Sequence, residues 1–596
     1  MPRASRDIMA KPSWRTSIQS MEDLRTPPIP MTDLRKMDSS SSSEQVVGTS
    51  QLYEGDQLHY VPMPSADPKD PLNLPTWRKW AAVISLSFFG ALALASEFII
   101  AALVPVFVLE YSGLDPKLLA TLDLNALSPG GGINLNPFQL LAGLGGPPVW
   151  KVALLASLPL LMNGIASYFL VPLSIAIGRR PVLLFVGVMA WAGGFWASYS
   201  TSLNSHLAAR AFQGLGAGAV EALIPLIVQD MMFIHQRNKA ISLISAGQGL
   251  FVVSLGIASP VIVARLSWRY IYWITAGVGV FAWGLLIVFV PESRYFRSDA
   301  EFAGKALSPL PVGETRPRLD VATYGPRTNK TDFGVFIVSL EWRRARYAVW
   351  ETLKTTLFPN ILWVIIVNSL FISTQGAAGQ VGSAVLIAAG WKFEMLGLAV
   401  VPVVIASPFV WLFGGFFADK ISNWHAKRNG GIREPEAHLL SLIVPLLSGV
   451  LGPILFGYAA ENVDTVSIYV FLFGIFLIGF SFLTANTLFS VYLVESYPAY
   501  AGPVLVNVSS FRLIVGFAMS FDATEWVQEI GFMRSFAIYA GILAFMTLGL
   551  PLVYIYGKRI RAFTAGKLNK TYIEDKFDDE NKLLRTTTTT YSRQRH

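Results

Sequence analysis

Read for hydropathy alone, the chain alternates between long apolar stretches and short polar breaks. A helix needs roughly 20 mainly apolar residues to cross about 30 Å of hydrocarbon. Twelve stretches meet that length: 80–109, 152–177, 182–201, 207–230, 240–264, 270–290, 359–384, 395–417, 439–460, 466–490, 503–523 and 535–556. Pro and Gly inside several of them are tolerated, because neighbouring helices re-satisfy freed backbone groups. The longest charged interruption, 291–358, falls after the sixth stretch. The pattern predicts an all-α membrane protein of twelve transmembrane helices in two six-helix halves.

This division gives a polar tail over 1–76, a first half over 77–291, a linker over 292–358, a second half over 359–556 and a tail over 557–596. The first tail carries a Ser run at 39–43 and several Pro, without the apolar core of a signal peptide. Such composition predicts disorder.

Composition agrees with the hydropathy pattern. Of 596 residues, 53% are hydrophobic and only 14% charged, against about a quarter charged in soluble domains. The net charge of +8 invites a nucleic-acid reading until its distribution is examined. Arg179, Arg180, Arg237, Lys239, Arg294, Arg343, Arg344, Lys420, Lys558 and many others fall on the face that both termini share. The opposite face has Lys117, Lys151, Arg265, Arg269, Lys392 and Arg534. That asymmetry is the positive-inside bias. It predicts cytoplasmic termini, with the lipid bilayer rather than nucleic acid as the partner. The absence of Cys and of any H-x-x-x-H pair argues against a metal site. No Walker motif supports an ATP-driven pump and no nucleophile–base pair supports an enzyme, so no cofactor is expected.

Two tandem six-span halves suggest a transporter built from repeats. Certain motifs narrow this. "GRRP" at 178–181, "GFFADK" at 415–420, "RAFQGLGAG" at 210–218, "WRYIYW" at 268–273 and "PESR" at 291–294 resemble signatures of the major facilitator superfamily. "DPLNLPTWRKW" at 70–80, "VEALIPLIVQDMMFIHQRNKA" at 220–240, "REPEAHL" at 433–439 and "VYLVESYP" at 491–498 resemble fungal members of its drug:proton antiporter branch. Two departures stand out. Ile175 lies where the family's loop has Asp, and the fifth-helix antiporter places hold Leu255-Gly256 and Ser259-Pro260.

Charges inside apolar stretches point to function, because each is costly at the bilayer centre. The fourth stretch holds Arg210, Glu221 and Asp230. On a continuous helix Glu221 lies eleven residues and about 16 Å below Arg210, on nearly the same face. Glu97 lies mid-way along the first stretch. The resemblance implies that Glu97 and Glu221 share a central cavity and that Arg210 serves coupling with them; an interfacial anchor is the competing account of Arg210. It also implies a cytoplasmic gate of Arg179, Arg180, Asp230 and Asp419. Asn368, Gln375, Asn486 and Arg512 are candidate substrate contacts, with helix–helix hydrogen bonding as the alternative. The expectation is a monomeric, proton-coupled exporter of amphipathic or cationic small organic molecules in the cell membrane. An importer of a small nutrient such as a polyamine, and a transporter-like receptor, are the alternatives.

Overall fold

The computed structural model describes residues 53–54, 57–58, 61–115, 146–218, 220, 222–297, 301, 316–335, 339–429, 434–497 and 501–564. Among these, eleven helices are long and apolar enough to cross a membrane. The fourth segment, in two pieces, completes twelve. The strand pairing among the described residues is one two-residue ladder, Tyr53–Glu54 with Gln57–Leu58.

Several spans are not uniform helices. The first runs as α-helix over Thr76–Phe98, tightens to a 3₁₀ turn over Ile99–Leu103 and resumes over Val104–Tyr111. The eighth passes through 3₁₀ (Phe393–Val400), α (Val401–Val410), π (Trp411–Phe417) and α (Ala418–Arg428) segments. The fourth is helical over Leu203–Ala217 and again over Leu223–Met231, with turns at Gly218, Val220 and Ala222 between. This corrects the continuous helix expected over 207–230. The rotation that set Glu221 below Arg210 on one face does not carry across the break.

The halves meet along two pairs of spans. In the second (Val149–Ile177) and eleventh (Ala501–Ser520), the Ser509 hydroxyl donates to Ser167 Oγ at 3.4 Å. In the fifth (Ile234–Arg265) and eighth, a Cβ on Gly397 would stand 2.7 Å from the Gly256 carbonyl oxygen. Only a glycine permits that backbone approach.

The basic end is braced by polar contacts. Glu292 accepts from the backbone N–H groups of Arg179 (2.9 Å) and Arg180 (3.1 Å), capping the third span, Arg179–Tyr199, with a carboxylate. Glu292 thus brings an acid to the loop where Ile175 withholds one. Arg294 donates to the carbonyls of Ile175 and Ala176 at the end of the second span. The polar segment before the first span is not a loose tail throughout. From Val61 onward it is held on the linker, with Asp70 gripped by Arg297 through two bonds of 2.8 and 2.6 Å. Burial pushes the Asp70 carboxyl up, but the Arg297 guanidinium together with the backbone N–H groups of Ser65 and Leu72 more than offsets this and holds it below its ordinary range.

The linker also carries a helix, Trp342–Thr356. It packs against the second and eleventh spans, one from each half. Asn507 of the eleventh span donates to the Thr352 carbonyl (2.7 Å) and Thr355 Oγ1 (2.8 Å) and accepts from Thr356 Oγ1 (2.9 Å). It thereby satisfies polar groups in the helix's last turn. Glu351 is buried on that helix, and burial pushes its carboxyl up to about 7 despite Tyr347 and Lys354.

Candidate functional site

Between the halves lies a cavity of about 180 Å³, walled by the first, second, fifth, seventh, eighth and tenth spans. Its surface is mostly aliphatic, with Phe98 and Phe482 and a glycine-rich face from the seventh span, Gly376, Gly379 and Gly382. Polar atoms are few. Glu97, Gln248, Gln375, Gln380, Ser157 and Ser383 line it, and no Lys, Arg or His does among the described residues.

Glu97 sits where the first span leaves α-helical geometry. It is 1% exposed. Asn163 of the second span donates to both carboxylate oxygens at 3.3 Å. Across the cavity, Gln380 donates its amide to the Ser520 carbonyl at 3.2 Å. That fixes Gln380 Oε1 as an acceptor, and it has no partner among the described residues. Gln375 Oε1 and Ser383 Oγ are likewise unpartnered there. Buried polar atoms are rarely left so. The cavity therefore presents hydrogen-bond acceptors and one carboxyl, in apolar surroundings.

Arg210 is fully buried and makes four contacts: Nε to the Leu155 carbonyl (2.9 Å), a terminal nitrogen to the Ser96 carbonyl (3.0 Å) and Gln213 Oε1 (2.6 Å), and the other to the Glu97 carbonyl (3.2 Å). The choice of carbonyls has a local cause. Pro159 has no N–H, so Leu155, four residues earlier, lacks its helical donor. Ser96 and Glu97 lie at the change from α to 3₁₀. The guanidinium supplies donors where the two spans lack them, and it fixes the backbone that carries Glu97. A snorkelling anchor would reach water; Arg210 does not.

The other sequence candidates divide. Glu221 lies outside the described residues. Gln375 faces the cavity, whereas Asn368, seven residues away, donates to Asn486 Oδ1 at 3.2 Å. Arg512, itself 1% exposed, donates to the same oxygen and lies 6.0 Å from the Phe482 ring. These three form one polar knot joining the seventh, tenth and eleventh spans. Asn486 also borders a smaller space of about 50 Å³ with Gln248 and Arg237. Of the expected gate, Arg179 and Asp230 are paired at 3.3 Å. Arg180 donates to the carbonyls of Leu286, Ile287 and Val290, capping the sixth span (Trp268–Phe289). Those contacts all stay within the first half. Asp419 sits in the first turn of Ala418–Arg428. Sequence reasoning passed over Asn163, Gln380 and Ser383. Asn163 is a lone amide in an apolar helix and Gln380 lies five residues after Gln375, which were the available signals.

Known proteins show the same architecture. Residues 86–521 match the Major Facilitator Superfamily model. The chain is 24% identical to the efflux pump FUBT of Fusarium oxysporum over 82% of this chain and 74% of that one. It is 27% identical to the efflux pump radE of Floropilus chiversii over 83% of each. The fold aligns with the xylose transporter XylE of E. coli in a partially occluded inward-open state. There the TM-score is 0.53 and the identity 14%, over 80% of this chain and 97% of that one. Twelve spans in two halves around a shared cavity, with a family match over most of the chain, make this protein a transporter that belongs to the Major Facilitator Superfamily.

Proposed function

We propose that the protein exports amphipathic cationic small organic molecules in exchange for protons, by alternating access, from the cytoplasm across the cell membrane. The observation that carries this reading is the cavity's chemistry: one buried carboxyl and several acceptors, with no basic side chain in the lining. A positively charged amine satisfies those acceptors, and the aliphatic and aromatic walls receive its apolar body. The related chains named as efflux pumps support the outward direction.

At about 180 Å³ the cavity is smaller than the roughly 300–1,000 Å³ of a drug-sized site. The halves must part on one side to admit such a molecule, which the close contacts at Gly397 and Ser167 resist until they separate. A charged Glu97 is costly in that setting, and in this state Asn163 and the nearby Arg210 guanidinium offset the cost. A proton or a cationic substrate neutralises it, and the two compete for one carboxyl. That competition is the coupling. Glu221, by its place in the sequence, is the second carboxyl in this reading. Arg210 holds Glu97 in place through its backbone. Arg179, Arg180, Asp230 and Asp419 form the cytoplasmic closure.

The test is flux in liposomes with ethidium, a permanent cation that carries N–H donors, as the probe, read against protein-free liposomes. In Glu97→Gln, Asn163 still meets an acceptor, so folding is retained. Flux driven by a pH gradient is expected to fall at least about tenfold, equivalent to about 1.4 kcal/mol of coupling, while gradient-free exchange persists. Gradient-driven flux at the wild-type level removes Glu97 from the mechanism. Transport of anions in preference to the probe removes the substrate class, and the sign of the flux decides direction.

A further inference from the structure

The linker helix Trp342–Thr356 is amphipathic in the reverse of the usual sense. Toward the protein it buries Ala345, Ala348, Glu351, Thr352 and Thr355, which are small or polar. Away from it point Trp342 (53% exposed), Trp350 (55%), Leu353 (45%) and, just past its end, Leu357 (79%). At 100° per residue these four share a stripe about 80° wide. Arg346 lies within the stripe and Arg343 and Lys354 on its flank, all exposed. Arg343 and Arg346 have no acidic partner among the described residues. A soluble surface helix turns its apolar face inward; this one turns it outward.

The helix's depth gives the reason. Asn507, which grips its last turn, lies six residues into the eleventh span, about 9 Å along it. Three residues after Thr356, Pro359 begins the seventh span. The helix therefore lies beside the bundle at the level where spans enter the bilayer. Exposed Trp and Leu at that level belong in the boundary between headgroups and acyl chains, and the exposed Arg343, Arg346 and Lys354 beside them belong among phosphates.

The geometry points to a binding site for anionic phospholipid on the outward face of this helix, with Arg343, Arg346 and Lys354 holding the headgroup and Trp342, Trp350 and Leu353 seated in the acyl layer. Neutral lipid satisfies the apolar stripe but not three cations. Each basic residue near an anionic surface adds a factor of about five in affinity, so the three together predict roughly a hundredfold preference for anionic over zwitterionic headgroups.

The full chain, reconstituted in bilayers of phosphatidylcholine, is titrated with brominated phosphatidylserine or brominated phosphatidylcholine. Trp350 is read as the difference between wild type and Trp350→Phe. Quenching is expected to saturate at a far lower fraction of brominated phosphatidylserine. In R343Q/R346Q/K354Q the two curves are expected to coincide while quenching itself persists, which also shows that the variant is folded with its helix in the lipid. Equal curves in the wild type overturn the headgroup site. No quenching by either lipid overturns the placement altogether and leaves the face to water or to another chain.

Discussion

The first span, Thr76–Tyr111, and the seventh, Pro359–Ala388, open the two halves and face each other across the cavity. Glu97 stands 21 residues after Thr76, and Gln380 stands 21 residues after Pro359. The two side chains are near-isosteres at matching places. One ionises and the other does not. Their helices differ in the same direction. The first breaks into a 3₁₀ turn two residues beyond Glu97 and needs Arg210 to bond its carbonyls. The seventh is one unbroken helix of 30 residues, and Gln380 bonds a neighbouring span directly. Of these two spans, the one that carries the carboxyl is the irregular one. In the proposed mechanism the two positions would have separate tasks: Glu97 as the group that changes state, and Gln380 as an acceptor on a regular helix.

Removing Arg210 should break the comparison most severely. Arg210→Ala leaves the Leu155, Ser96 and Glu97 carbonyls buried and unpaired, each at about 1–3 kcal/mol. The expected outcome is loss of a monodisperse species on size-exclusion chromatography in detergent. Arg210→Lys should not rescue it, because a single ammonium cannot reach three divergent carbonyls as a guanidinium does. Normal yield and melting of the Lys variant would show that charge alone is required.

A smaller effect should follow from making the two halves alike. Gln380→Glu, when ionised, repels the Ser520 carbonyl that the amide now bonds, and it sets a second carboxyl on the cavity. A loss of about 1–3 kcal/mol in stability is expected, together with a steeper pH dependence of flux than the wild type shows. An unchanged pH profile would mean that the seventh-span position does not face the transported molecule.

The smallest effect concerns the strap between the halves. Glu351 has its carboxyl raised to about 7, so its protonated form is the one that docks. The linker helix is then most firmly held below the ordinary carboxyl range. That contribution, at most about 3 kcal/mol, is lost as pH rises through about 7. Melting temperature between about pH 5 and 8 should fall in the wild type and be flatter in Glu351→Gln. Parallel curves would place the helix's hold elsewhere, in Asn507.

Much of this arrangement is legible in the sequence. The apolar stretches mark the twelve spans, and charges within them single out Glu97 and Arg210. What escaped is long-range. Asp70 lies in a Pro-rich, charged segment that reads as tail, but its partner Arg297 is 227 residues away, which local composition cannot report. Arg210 reads as a coupling residue or an interfacial anchor, yet its principal partners are carbonyls, one of them freed by Pro159 in another span. Gly214 and Gly218 read as a small-xxx-small packing pair, which conceals that the fourth helix is interrupted there. Asn368 and Gln375 share a face in the sequence, but only the structure shows which of them a neighbouring amide has claimed.

The interruption of the fourth span bears on how the protein enters the membrane. Its helical pieces have 15 and 9 residues, each short of the roughly 20 needed to cross. An arginine near a helix centre adds about 2.5–3.5 kcal/mol against insertion. Such a segment is a poor candidate for partitioning on its own. The carbonyls that accept from Arg210 belong to the first two spans, which leave the ribosome earlier. The order of synthesis thus delivers the receiving site before the charge that requires it, and the fourth segment is retained in the bilayer by helices already waiting there.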